Sequence, residues 1–329
     1  MIERVFIFCL IVFGLTVSVN AVEIGTPYEF SSNIKPGDTF MNVRLLGALK
    51  LSTDQINNFG ARELSGLAWD DDQQILYAVS DDGYLVHLKP SFTGDLLTGV
   101  EFIDAYALRG PDNKPLEGKA SDAESLTILN GTNGVQGDTE VIVGLEFPPR
   151  ITKYRTNGEF ITAVPLPDYL ADINSYSDKK STINALALHP EYGFITAPQK
   201  PLNNSSPGYL SIYSLEGREW QYKPLSNKSS FTLGLDTLPD GNLLVLERVY
   251  SSVFKPVIYA LRKLKINNTN GSTLTVDEIA HFNSRQGWSI DNFEGISKHQ
   301  DNRYFMVSDD NESVLQKTLL IYFELINKE

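Results

Sequence analysis

The sequence predicts an all-β protein, a β-propeller of five to seven blades with six favoured. Three observations carry this expectation. A hairpin-sized unit recurs with starts at Glu63, Glu124, Asn184, Leu233 and Glu294, spaced by about 50 to 60 residues. The units hold several short apolar strands parted by Gly, Asn, Asp and Pro turns, with no convincing amphipathic helix. The 42% hydrophobic and 11% aromatic content is enough for a substantial core in 329 residues. A β-sandwich with accidental spacing is the competing architecture.

The first unit, Glu63 to Gly83, sets the pattern. Its sequence ELSGLAWDDDQQILYAVSDDG gives an acid, a short apolar strand, an Asp-rich turn, a second apolar strand and a Ser-Asp-Asp end. Two antiparallel strands joined by a tight turn bring their outer ends to one edge. Glu63 therefore belongs near Asp81 and Asp82. The second unit runs from Asp122-Ala123-Glu124-Ser125 through the strand Glu140 to Leu145 and ends in Glu146. The third opens at Asn184, turns at Glu191-Tyr192-Gly193 and ends in Pro198-Gln199-Lys200. The fourth turns at Pro239-Asp240-Gly241-Asn242 and ends in Glu247-Arg248. The fifth repeats the first as Glu294-Gly295-Ile296-Ser297, a turn at Asp301-Asn302, and Ser308-Asp309-Asp310-Asn311. Leftover strands near Val43 and after Asp168 supply material for a sixth blade, and the N-terminal strand is also suited to completing the last blade.

Residues 1–21 read as a signal peptide. Arg4 supplies the positive start, Val5 to Val19 the apolar stretch, and Val19-Asn20-Ala21 the small-residue cleavage site. Residues 22–40, with Pro27 and Pro36, read as a linker, and 41–329 as a single propeller domain. A secreted or periplasmic location follows from the signal segment. The one cysteine, Cys9, lies inside it, so the mature chain has no disulfide, thiolate metal site or cysteine nucleophile. The net charge of −13 argues against nucleic acid and anionic membranes as partners.

The pieces ELSGLAWD with LYAVSDDG, DAESL, GLEFPPRITKY, NALALHP, LLVLERVYS, and DNFEGIS with MVSDDN and LLIYFEL resemble the phytase-like, "esterase-like activity of phytase" family. They extend in order from about Arg62 to Leu325. The resemblance implies a secreted propeller and makes a phosphomonoester an attractive substrate.

In a propeller, loops entering each innermost strand and loops leaving each second strand open on one face. Glu63, Asp81, Asp82, Asp122, Glu124, Glu146, Asn184, Gln199, Glu247, Glu294, Asp309 and Asp310 are thus expected around one mouth. Clustered carboxylates repel unless a cation compensates, and oxygen-only ligands suit Ca²⁺ or Mg²⁺. The expected cofactor is Ca²⁺, held by Glu63, Asp81, Asp82, Glu124, Glu294, Asp309 and Asp310. Arg62, Arg150, Lys200 and Arg248 lie at the same edges and are expected to bind a small anionic ester; the alternative is that they balance neighbouring acids. Glu146 or Glu247 would orient a water. Asp70 to Asp72 and Asp240 fall at the other end of their hairpins and read as turn residues.

No G-x-S-x-G elbow occurs, no histidine accompanies Ser65, Ser125 or Ser297 at a repeated position, and no H-E-x-x-H, P-loop or Rossmann signature is present. Metal-assisted hydrolysis of a phosphate or related ester is the leading expectation. A non-catalytic ligand- or protein-binding propeller and a sugar-lactonase-like hydrolase are the alternatives.

Overall fold

A computed structural model describes residues 21–227, 229–252, 254–266 and 272–326. Most of the expected signal segment, residues 1–20, lies outside the described residues. The chain forms five antiparallel sheets arranged as the blades of a propeller. Blade 1 comprises Leu64–Asp70, Ile75–Ser80, Tyr84–Thr93 and Leu96–Ala107. Blade 2 comprises Ala123–Leu129, Glu140–Leu145, Arg150–Arg155 and Phe160–Val164. Blade 3 comprises Ala185–His189, Gly193–Ala197, Leu210–Ser214 and Glu219–Tyr222. Blade 4 comprises Ser230–Thr237, Leu243–Val249, Ile258–Lys265 and Thr275–Asn283. Blade 5 runs from Asn292–Lys298 through Arg303–Asp309 and Leu319–Leu325 to Val43–Leu51.

Among the described residues there are five blades and not the favoured six. Val43–Leu51 pairs with Leu319–Leu325 inside blade 5 and so closes the ring, and Asp168–Ala171 is a single helical turn. The segment at 22–40 is also not a free linker. Val22–Glu23 pairs with the outer strand of blade 1, while Gly25–Pro27 and Thr39–Phe40 pair with Val43–Leu51 of blade 5. Phe30, buried against Phe282, Trp288 and Phe293, pins the same segment across blades 4 and 5. Burying one such ring contributes about 1.5–3 kcal/mol.

Strand alternation builds the core between blades. Tyr77 and Val79 pack toward blade 2 with Leu126, Val141 and Val143, whereas Leu76 and Ala78 pack toward blade 5 with Phe305 and Val307. The second strand of blade 1 is therefore apolar on both faces, which the sequence shows as the continuous run Ile75 to Val79.

The five innermost strands neighbour one another in a closed circle. Their close approach demands small residues at one level. A Cβ on Gly66 would sit 2.7 Å from the Leu126 nitrogen, and one on Gly234 would sit 3.1 Å from the Glu294 carbonyl oxygen. One step further along, Leu67, Leu126, Leu186, Leu235 and Ile296 meet across the axis and leave a void of ≈ 10 Å³ above them. They divide the channel into a polar pit on one face and a cavity of ≈ 190 Å³ on the other.

Candidate functional site

Backbone irregularity places the pit residues. The inner strands of blades 1, 2, 4 and 5 each carry an extra residue opposite their partner strand: Ser65, Glu124, Leu233 and Glu294. A β-bulge of this kind turns a side chain out of the regular alternation. All four bulged residues line the channel, together with Asn184 at the entrance of blade 3. Glu124 and Glu294 thus reach the pit from bulges and Asn184 from a strand entrance, while Asp81, Glu146, Arg248 and Asp309 come from the ends of second strands.

The pit has a volume of ≈ 480 Å³, and its walls include Asp81, Glu124, Glu146, Asn184, Arg248, Glu294 and Asp309. Single carboxylate oxygens of Asp81, Asp122 and Glu124 lie within 4.8 Å of one another, a spacing that fits a shared cation. Ser65 Oγ reaches both Asp81 Oδ1 at 2.6 Å and Glu294 Oε2 at 3.2 Å. Asn292 Nδ2 donates to Glu294 Oε1 at 2.8 Å and to Asp309 Oδ2 at 3.2 Å. Asn184 Nδ2 donates to Glu124 Oε2 at 3.3 Å. Asn184 is 2% exposed, and its Oδ1 has no hydrogen-bond partner. An unpartnered buried carbonyl oxygen costs about 1–3 kcal/mol, so this atom calls for a positive or proton-donating group from the pit.

The electrostatics point the same way. Burial, with the charges of Glu294 and Asp309, pushes the Asp81 carboxyl well above its usual range. Burial, with Asp81 and Glu294, does the same to Glu124. Burial and Asp309 push Glu294 up to about 7, against the opposing pull of Arg248. Glu146 is pushed up to about 8 by burial and by Asp122, although the Thr182 amide donates to its Oε1 at 3.1 Å. Burial pushes Asp309 up to about 6. The apolar floor beneath these acids keeps solvent from screening them.

The expected metal set separates into two groups. Asp81, Glu124, Glu294 and Asp309 share the pit. Glu63 and Asp82 instead gather with Glu312, their carboxylate oxygens within 4.8 Å, beside Arg62, which contacts Asp82 at 2.8 Å and Glu312 at 3.6 Å. Burial and Asp82 push Glu63 up to about 7. Glu63 and Glu312 both hold left-handed backbones, at φ 47 each, which non-glycine residues seldom adopt. Asp310 Oδ1 accepts from the Glu63 amide at 3.0 Å and thereby braces this outer cluster.

Of the four expected anion binders, Arg248 alone lines the pit. It donates to Asn292 Oδ1, lies over the Phe231 ring at 5.4 Å, and leaves its buried Nε without a partner. Arg150 donates to the backbone carbonyl oxygens of Phe147, Pro148 and Ala120. Lys200 pairs with Asp178 at 2.6 Å. Glu247 is likewise not in the pit. It is fully buried between blades 3 and 4, 2.5 Å from Arg262, and accepts from the Leu225 amide at 2.6 Å. Alternation explains this: Leu243, Val245 and Glu247 share the face toward blade 3, while Leu244, Leu246 and Arg248 face blade 5.

Sequence reasoning placed Asp122 at the mouth without making it a ligand, and it passed over Asn292, Glu312 and Lys180. Asn292 and Glu312 each stand two residues from an acid already singled out, which is a usable signal. Lys180 comes from a long inter-blade loop and has none.

No curated protein matches the chain. A family model for phytase-like proteins, described as esterase-like activity of phytase, matches residues 59–312, which span all five inner strands and every pit residue named above. The chain therefore belongs to the phytase-like family of β-propellers.

Proposed function

We propose that this protein is a metal-assisted hydrolase of a phosphoric ester or a related ester. The observation that carries the reading is the grouping of the Asp81, Asp122 and Glu124 carboxylates, with Asn184, whose buried Oδ1 is unpartnered, hydrogen-bonded to Glu124. These donors are all oxygen, which favours Ca²⁺ among the common cations. Asp81, Asp122, Glu124 and Asn184 would hold the ion, with Glu294 and Asp309 close behind them. The ion would polarise the ester oxygen and offset charge as it develops there.

Arg248 approaches from blade 4 and, with Lys180 on the pit wall, supplies positive charge for the anionic part of the substrate. Asn292 holds Arg248 and Glu294 in register, because it accepts from one and donates to the other. Glu146, on the pit wall, would accept a proton from an attacking water once a bound cation lowers its raised affinity for protons. The Leu and Ile floor excludes water from below. The leader-like segment at 1–21 supports action outside the cytoplasm.

The test is hydrolysis of phytate, aryl phosphate and aryl acetate by the mature protein, with calcium or with chelator, beside Glu124→Gln. Calcium-dependent turnover that falls by about two orders of magnitude in the variant is expected. Failure to hydrolyse any ester, with calcium binding intact, would leave a ligand-binding propeller.

A further inference from the structure

The wall of the pit is unlike that of an ordinary small-molecule site. Such sites run to about 300–1,000 Å³ and are lined mainly by apolar and aromatic side chains, with a few polar groups to fix orientation. This pit, at ≈ 480 Å³, has a suitable size and the opposite lining. Among the described residues, every one on its wall is charged, an amide or a serine. The cavity on the other face of the same channel is lined by Leu67, Trp69, Leu126, Ile128 and Leu186 among others, so polarity is not a general property of the channel.

Part of this polar wall has no partner within the chain. Asn292 is fully engaged, because its amide donates to Glu294 and Asp309 and its Oδ1 accepts from Arg248. Gln199 uses only its Oε1, which accepts from Ser181 Oγ at 2.9 Å, and its amide donates to no described residue. Nor does the side-chain amide of Asn311, whose backbone N–H alone is held, by Asp309 Oδ1 at 2.7 Å. Ser313 Oγ accepts from the Leu315 amide at 3.3 Å among loop residues, or Ser313 itself, and keeps its own proton to donate. Gln199 follows the second strand of blade 3, while Asn311 and Ser313 follow that of blade 5, so these donors reach the pit from two different blades. A hydroxyl group both donates and accepts. A body bearing several hydroxyls can give protons to the carboxylates and take them from these amides. An apolar body would leave both sets unpaired wherever it displaced their water.

Charge limits the rest of the ligand. Five carboxyl groups on the wall face two bases, Lys180 and Arg248, and Asp122 adds a further acid beside Asp81. A divalent cation brings such a pit near neutrality and leaves no surplus of positive charge. One anionic group can be met by the ion and Arg248 together, whereas further anionic groups would find carboxylates in place of bases. The net charge of −13 on the whole chain repels polyanions in the same sense.

We propose that the substrate is a phosphate monoester of a small polyhydroxylated body, a sugar or polyol with one anionic group, and not a polyphosphate or an alkyl or aryl ester. This rests on the hydrolase reading for the head group and adds the body.

The experiment compares a hexose monophosphate, hexyl phosphate and a hexose bisphosphate in the presence of calcium at fixed ionic strength. Catalytic efficiency is expected to be about tenfold or more higher for the hexose monophosphate than for either of the others. A Gln199→Ala, Asn311→Gly double variant is expected to bring the hexose-to-hexyl ratio near one. Glycine keeps the left-handed backbone that Asn311 holds at φ 48. A ratio that the variant leaves unchanged overturns the proposal, since damage to the fold alone lowers both substrates together. Calorimetric binding of hexose and hexyl phosphonates, read without turnover, separates the two readings. If nothing is hydrolysed but the hexose phosphonate binds more tightly and the variant loses that preference, the polyhydroxylated ligand stands and the hydrolase reading fails. Equal or better turnover and binding of the hexyl compounds, or of the bisphosphate, overturns the proposal.

Discussion

Glu124 and Asn184 stand at corresponding positions on the inner strands of blades 2 and 3, and one hydrogen bond of 3.3 Å joins them. Asn184 uses its amide in this contact, and its buried Oδ1 has no hydrogen-bond partner. A divalent cation bound to the folded state alone stabilises it by about 2.7 kcal/mol at a hundredfold excess over Kd. Calcium is therefore expected to raise the Tm of the wild-type protein in differential scanning calorimetry. Glu124→Gln and Asn184→Leu should each remove most of the rise, whereas Asp82→Asn, on the outer cluster, should keep it. A wild-type Tm indifferent to calcium, magnesium and manganese would count against the site.

Without a cation, the acids set an unusual pH dependence. Burial pushes the carboxyls of Glu63 and Glu294 up to about 7 and that of Glu146 up to about 8, above the ordinary value of 4.5. It pushes Asp309 up to about 6, above the ordinary 3.8. Across the interval between the two sets of values the folded state binds more protons than the unfolded state. The contribution of these groups is full below the unfolded values and is lost as pH rises through the folded ones. Urea midpoints measured with chelator should fall between about pH 5 and about pH 8, and saturating calcium should flatten or reverse the slope. A midpoint that climbs over that range in chelator would refute the assignment.

Glu247 tests the boundary between site and scaffold. Replacing it with Ala leaves Arg262 buried without its counter-charge, at a cost of about 3–5 kcal/mol. Urea unfolding should show the loss, while ester turnover, measured where the variant is folded, stays within about twofold of wild type. A variant of native stability with no activity would return Glu247 to the catalytic set.

Gly66 tests the packing of the inner circle. An alanine methyl there meets the Leu126 nitrogen at 2.7 Å and Leu126 Cβ at 2.9 Å, and backbone cannot move aside cheaply. Gly66→Ala should lower stability by about 1–3 kcal/mol, read as a reduced Tm. An unchanged Tm would mean that the inner strands separate more easily than their spacing suggests.

The repeat was legible because each blade opens with the same apolar strand and turn, and Glu63, Glu124, Asn184 and Glu294 mark four of those openings. The mouth acids were legible for the same reason, since hairpin geometry sends both ends to one edge. Blade number was not, because Val43–Leu51 is a strand whose partner lies some 270 residues away, and no local signal names that partner. Register decided the remaining errors. Glu146 and Glu247 look alike at the ends of second strands, yet Glu146 lies beyond its strand while Glu247 lies inside Leu243–Val249. One residue of offset puts a side chain in the pit or in the core. The outward turn of Glu124 and Glu294 depends on bulges, which the sequence marks only by the Ser125 and Gly295 that follow.

The pairing of Val43–Leu51 with Leu319–Leu325 has a consequence for how this protein comes into being. Val43–Leu51 is made some 270 residues before the strand it pairs with, so vectorial synthesis cannot deliver a finished ring piecemeal. Until Leu319–Leu325 is in place, the edges of Arg303–Asp309 and of Val43–Leu51 present unsatisfied amides and carbonyls to any extended chain nearby. A chain cut short before Leu319 has the acids of the pit in hand and no means of holding them in a circle.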